Sequence, residues 1–331
     1  MDARTCYACG MRALVFDTGT RLAELDDPEP GRGEALLRVR LAGICNTDLE
    51  ITRGYMGYAG VLGHELVADV IAAEDDAWIG ARVCAEINFA CGECPNCEAG
   101  LERHCPTRRV MGILGAPGCF AERVVVPQQN LHRVPNHVAD EAAVFTEPLA
   151  AAFELVEQIE LNRGERALVV GDGKLGLLCA MVLESEGLHT TLVGRHARKR
   201  AIAEAAGIHV FEPALLQEGD FDLVVEATGQ PSGLAWSLER VRARGVLALK
   251  STFHGEVKLD TAKLVIDEIQ VVGSRCGPFD RALAALAAGA IDPTRLIDGV
   301  LPLSDGVQAM RLAATRGSLK YLLDPRVEVG A

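Results

Sequence analysis

At 331 residues the chain is long enough for two ordinary domains, each with its own core. Its 49% hydrophobic and 24% charged residues are the balance of a soluble globular protein and exclude a disordered one. A formal net charge of −13 excludes a nucleic-acid footprint and sets the chain against an anionic membrane surface; the short basic run "GRHARKR" at 194–200 does not change that.

No apolar run reaches the roughly 18 residues of a membrane span. The opening "MDARTCYACGMRALVFD" has no basic segment leading into an apolar one, so no secretory signal is expected. The expected compartment is the cytoplasm, where thiols stay reduced. Eleven cysteines there read as ligands and core residues, not as a disulfide framework. Met11 opens a strand-like "MRALVF", and the residues before it, with the lone pair Cys6 and Cys9, read as a tail.

Next comes "LAGICNTDLEITRGYMGYAGVLGHELVADV", in which Cys45, His64 and Glu65 stand among glycines that can bring two segments together. Each residue alone has an ordinary reading as core or surface. The run "CGECPNCEAGLERHC" is more specific, with the spacing Cys91-x2-Cys94-x2-Cys97-x7-Cys105. Zinc takes thiolates in a closed tetrahedron at about 2.3 Å, and short Cys-x2-Cys steps let one loop wrap the ion. Gly92, Pro95 and Gly100 favour the sharp turns this needs. A closed four-thiolate cage holds a loop and performs no chemistry. Cys84, Cys119, Cys179 and Cys276 lie in apolar surroundings and are expected in the core. At "FTEPLAAAFE", Glu147 precedes a proline that can begin a helix, so its carboxylate is a third metal ligand or a cap.

"RALVVGDGKLGLLCAMVLESEG" predicts a buried strand (167–170), a turn and a helix. The turn is Gly171-x-Gly173-x-x-Gly176, in the strand–turn–helix context of a dinucleotide site, with a helix N-terminus facing the phosphates. Further β-rich runs at 190–194, 222–229, 246–252 and 269–274 alternate with helical stretches at 197–206 and 281–288. The expected class is therefore α/β, with a doubly wound sheet. An acidic residue usually stands at the end of the second strand, about 20 residues on, to hold the ribose 2′-hydroxyl. Here that place is Gly194, followed by Arg195 and His196, with Lys199 and Arg200 behind. A missing carboxylate with an incoming guanidinium suits a 2′-phosphate, so NADP is favoured over NAD. The expected cofactor contacts are Gly171, Gly173, Leu175, Gly176, Gly194, Arg195, His196, Arg200, Thr228 and Gly229.

With the cage, the Cys…His-Glu…Glu set and the dinucleotide turn in this order, residues 11–331 resemble the zinc-dependent medium-chain alcohol dehydrogenases. "TEPLA" is similar to the polyol and sugar dehydrogenase branch. The resemblance implies a GroES-like β-rich catalytic domain (1–152 and 290–331) interrupted by a Rossmann cofactor domain (153–289), with the active site in the cleft between them. It implies two zinc ions per chain. The catalytic one would be held by Cys45, His64 and Glu147, with Glu65 behind the metal or exchanging into its shell. The structural one would be held by Cys91, Cys94, Cys97 and Cys105. Thr47 matches the family's proton-relay hydroxyl, while Glu50 stands where many members carry a histidine, which leaves the second relay step open. The implied reaction interconverts a secondary alcohol, polyol or sugar with a carbonyl compound. The implied assembly is a homodimer or homotetramer. Two rival readings are a non-catalytic NADP-binding sensor or partner and a zinc–thiolate redox switch.

Overall fold

A computed structural model of the chain describes residues 10–217, 219–252, 256–257 and 259–327; Cys6 and Cys9 lie outside the described residues. The chain divides into two compact units, 10–147 with 297–327, and 148–296. The first crossing falls inside the helix Thr146–Gln158, ahead of the expected 152/153 boundary, because one unbroken helix carries the chain across. The return comes after the turn Pro293–Leu296, whose Pro293 and Leu296 are buried, and so lies later than the expected 289/290.

The first unit is built around the strand Glu34–Gly43. Its odd-numbered Ala35, Leu37, Val39 and Leu41 are buried, the period of two that a strand with one core face requires. This strand pairs antiparallel with Glu65–Ala73, Arg123–Pro127 and Lys320–Asp324. The last of these comes from the far end of the chain. In register, Gly43 is opposite Glu65 on one side and Leu322 on the other, so residues widely separated in sequence meet around Gly43. The expected strand at Met11 is present as Met11–Phe16, and its Met11, Ala13 and Val15 form a small core with Val61 and Ala121.

The second unit carries a six-stranded, all-parallel sheet. Its order is His209–Phe211, His189–Val193, Arg166–Val170, Phe221–Glu226, Val241–Leu249 and Gln270–Gly273. Numbered along the chain this is 3-2-1-4-5-6, the doubly wound order in which ligands bind outside the carboxyl ends of the strands where the order reverses. The central strands bury Ala167, Leu168, Val169, Val170, Leu223, Val224 and Val225, as a sheet covered on both faces demands. The reversal lies between Arg166–Val170 and Phe221–Glu226. Directly after the first of these strands comes the glycine-rich turn, and the helix Lys174–Ser185 follows with Gly173 as its N-cap. Among the described residues no helix is long and apolar enough to cross a membrane.

Candidate active site

In the first unit one ligand atom each from Cys45, His64 and Glu65 lies within 4.8 Å of the others. Cys45 is the N-cap of the short helix Asn46–Ile51, and His64 and Glu65 stand at the start of the strand Glu65–Ala73. One fully buried side chain, Asp48, ties the two segments. Its Oδ2 accepts the Cys45 N–H (2.8 Å), its Oδ1 accepts the Gly63 N–H (3.2 Å), and the same Oδ1 lies 3.2 Å from His64 Nδ1. Asp48 therefore fixes both donor segments from behind, the role that outer carboxylates play toward metal-binding histidines.

The donor set carries negative charge in a buried place and suits a cation. Burial disfavours a charged His64 ring, but Asp48 and Cys45 beside it hold its pKa well above 6.5. Glu65 Oε1 is buried without a hydrogen-bond partner, an atom that a metal ion would satisfy. Its other oxygen accepts from the buried ammonium of Lys320, which also lies 5.4 Å from the centre of the Phe145 ring. Thiolate, imidazole and carboxylate are the donor types of catalytic zinc sites.

Glu147 is not part of this close triad. It is half-buried in the first turn of the helix Thr146–Gln158, and its charge is felt by Lys320. Among the described residues the close donor set is thus Cys45, His64 and Glu65. The reason is local: Glu65 follows His64 directly and Gly43 leaves room for its carboxylate, since a Cβ there would overlap Glu65 Oε2. Thr47 sits on the same helix, with the Cys45 thiol 3.7 Å from Thr47 Oγ1. Glu50 pairs with Arg53 at 2.6 Å on the exposed side of that helix.

The four cage cysteines also converge, with all Sγ atoms within 4.8 Å and three measured pairs at 3.5, 3.6 and 4.0 Å. A tetrahedron of sulfurs about 2.3 Å from zinc has edges of about 3.8 Å, so the site fits that ion. Gly92 (φ +80°) and Gly100 (φ +73°) turn the loop, and Asn96 Nδ2 donates to His104 O (2.7 Å) to close it. Hydrogen bonds from the Thr107 hydroxyl and the Cys91 N–H pull the Cys105 thiol down to about 6, toward the thiolate that a metal needs. Cys84, Cys119 and Cys179 are buried as expected, whereas Cys276 is half-buried.

In the second unit the glycine turn fits a dinucleotide. A Cβ at Gly176 would overlap Gly171 O, which sets the close helix–strand packing, while a Cβ at Gly173 would meet nothing within 4 Å. Leu175 is half-buried in the first turn of the helix. Thr228 and Gly229 follow the strand Phe221–Glu226, but neither is idle. The Thr228 hydroxyl donates to Glu226 Oε1, and the Gly229 N–H donates to Ser251 Oγ (2.9 Å).

At the end of the strand His189–Val193 the surroundings differ from the expectation. Arg195 is exposed, but Arg200 donates to Gly194 O (2.9 Å) and pairs with Glu212 (2.7 Å). A carboxylate is also present: Asp172, from inside the glycine turn, lies against Gly194 and accepts the His196 N–H at 2.7 Å. The strand end therefore holds a carboxylate, and Arg200 is engaged while Arg195 is exposed.

Comparison with known proteins follows the same division. The profile of the alcohol dehydrogenase GroES-like domain matches residues 31–136, and that of the glucose dehydrogenase C-terminus matches residues 140–320. Glucose 1-dehydrogenase of Thermoproteus tenax is 35% identical over 332 residues, covering 88% of this chain and 94% of that protein. Sorbitol dehydrogenase of Halalkalibacterium halodurans is 27% identical over 342 residues, covering 95% and 99%. Among solved structures, a zinc-binding dehydrogenase of Sinorhizobium meliloti 1021 bound to NADP superposes with a TM-score of 0.89 at 28% identity, covering 96% of this chain and 99% of that one.

Asp48, Asp172 and Lys320 escaped the sequence reading. For Asp48 a signal exists, since it stands three residues after Cys45 at the N3 position of a capping box. Asp172 is the variable residue between two glycines, a position whose identity the turn motif leaves open. For Lys320 no local signal exists.

Proposed function

Because the chain belongs to the zinc-dependent medium-chain alcohol dehydrogenases, polyol-dehydrogenase-like, we propose that it interconverts a polyol, sugar or secondary alcohol with the matching carbonyl compound. It is an alcohol oxidoreductase with a GroES-like domain and a Rossmann domain. The observation that carries the reading is the convergence of Cys45, His64 and Glu65 behind a single orienting carboxylate, Asp48.

Cys45, His64 and Glu65 would hold a catalytic zinc, and Cys91, Cys94, Cys97 and Cys105 a structural one, giving two ions per chain. A zinc ion in a site with an open position supplies Lewis acidity toward an alcohol or carbonyl oxygen. A nicotinamide dinucleotide supplies the hydride acceptor or donor. Asp48 keeps Cys45 and His64 aimed at one point. Thr47 Oγ1, beside the Cys45 sulfur, relays the proton that the alcohol gives up toward the ribose hydroxyls and solvent, passing on its own as it accepts the incoming one. Backbone N–H groups of the turn from Gly171 to Gly176 receive the pyrophosphate at the helix N-terminus.

The choice of dinucleotide has support on both sides. Arg195 and the NADP of the Sinorhizobium meliloti relative favour NADP, while Asp172 and the engaged Arg200 weigh toward NAD. A homodimer or homotetramer is supported by the outermost strand Gln270–Gly273, where Val271 is exposed, and by Val265 and Ile266 exposed on the preceding helix. A cytoplasmic location suits the reduced cage cysteines Cys91, Cys94, Cys97 and Cys105.

A screen of polyols, aldoses and secondary alcohols with NAD and NADP tests the proposal. Steady formation of reduced nicotinamide with at least one polyol or sugar is expected. No turnover with any of them by zinc-loaded protein would remove it.

A further inference from the structure

The carboxylate that a dinucleotide site expects at the end of its second strand is present, but it comes from another part of the chain. Gly194 directly follows the strand His189–Val193 and offers no side chain. A Cβ placed on Gly194 would lie 2.6 Å from Asp172 Oδ2 and overlap Asp172 Cβ. Asp172 thus fills the space that the side chain of an acidic residue 194 would use, and Gly194 is what makes room for it.

Asp172 is held in place by its neighbours. Its residue is only 8% exposed, its Oδ2 accepts the His196 N–H at 2.7 Å, and its two oxygens lie 3.1 and 3.0 Å from His196 Nδ1. The Gly171 N–H donates to Val193 O (2.9 Å), which ties the turn carrying Asp172 to the strand end. A carboxylate has about four acceptor positions, so two bonds from His196 leave capacity for another donor. The nearby cations are largely engaged. His196 faces Asp172, Arg200 is held by Glu212 and Gly194 O, and Arg195 is exposed.

The geometry points to Asp172 as the residue that reads the adenine ribose. It accepts a hydrogen bond from a free ribose hydroxyl and repels a 2′-phosphate, so that NAD is preferred over NADP. The inference rests on the reading of Gly171–Gly176 as a dinucleotide turn. It differs from the usual arrangement in that the discriminating acid belongs to the turn itself.

Equilibrium titration of the purified protein with NADH and NADPH, followed by nicotinamide fluorescence, tests it without recourse to turnover. Wild type is expected to bind NADH roughly ten-fold or more tighter than NADPH, the size of one charge-assisted hydrogen bond. D172N keeps the shape and an oxygen for the His196 N–H but removes the charge. It should weaken NADH, strengthen NADPH and lower the ratio by roughly ten-fold. A wild-type preference for NADPH, or a D172N variant that shifts both cofactors by one factor, overturns the assignment and leaves the dinucleotide site standing. Folded wild type that binds neither cofactor overturns the site as well. The wild-type ratio decides the matter even if D172N does not fold.

Discussion

The carboxylate of Glu65 crosses over Gly43 to receive the ammonium of Lys320, and both residues are 1% exposed. The two are 255 positions apart, brought together because Lys320–Asp324 and Glu65–Ala73 flank the same end of Glu34–Gly43. Lys320 balances one oxygen of Glu65 while the other is buried without a hydrogen-bond partner. Removing one partner of such a buried pair costs about 3–5 kcal/mol. K320M should therefore lower the unfolding free energy of zinc-free protein by about that amount. Zinc should restore part of it by taking over as counter-charge, and denaturant unfolding with and without the metal measures both.

The same pair gives an alkaline limb to stability. Burial works against the Lys320 charge, but Glu65, Cys45 and Glu147 hold its pKa above the ordinary 10.5. A lysine whose folded pKa is raised contributes stability that is complete below its unfolded value and lost as pH rises through the folded one. Zinc-free wild type should lose stability above about pH 10.5 more steeply than K320M. Parallel curves from urea unfolding would place the alkaline transition elsewhere.

The third metal ligand is tested by comparing two carboxylates. E65Q should lower zinc content by about one equivalent and abolish turnover, because it removes a charged donor from a three-donor site. E147A should keep its zinc. The reverse pattern in metal analysis would return the ligand role to Glu147.

The cage and the cofactor turn lie in different compact units, which separates their effects. C97A should lose the structural zinc and lower the thermal midpoint, since a closed site contributes folding energy. NADH affinity should stay within about two-fold of wild type, because experimental scatter alone reaches that size and no residue of the turn is touched. A proportionate loss of both would mean that the cage supports more than its own loop.

T47V should slow alcohol oxidation by about 10²–10⁴-fold while leaving substrate binding nearly unchanged, as expected for a hydroxyl that handles a proton in the transition state. Presteady-state measurement of hydride transfer separates the two quantities.

Motifs confined to one loop were legible in the sequence. The cage at 91–105 and the turn at 171–176 declare themselves because ligand spacing and glycine placement are local requirements. The strands of the second unit were legible as short apolar runs, since a sheet buried on both faces needs them. Relationships that depend on tertiary register were not. Nothing in "GSLKYLLD" marks Lys320 as the partner of Glu65, and the meeting of the two follows from strand pairing around Gly43. Asp172 was hidden for a similar reason. Its role depends on the neighbour of a parallel strand 22 residues on, while reading along the chain pairs Gly194 only with the basic residues that follow it.

The proposed function couples a metal centre at Cys45, His64 and Glu65 to a nicotinamide dinucleotide in alcohol oxidation. The most direct test is turnover of a polyol or sugar identified by the substrate screen, measured on one preparation as purified, after chelation, and after zinc is returned. Activity should fall on chelation and return with zinc, and E65Q should show none at any stage. Undiminished activity in protein verified to be free of metal, or full activity in E65Q, would contradict the account.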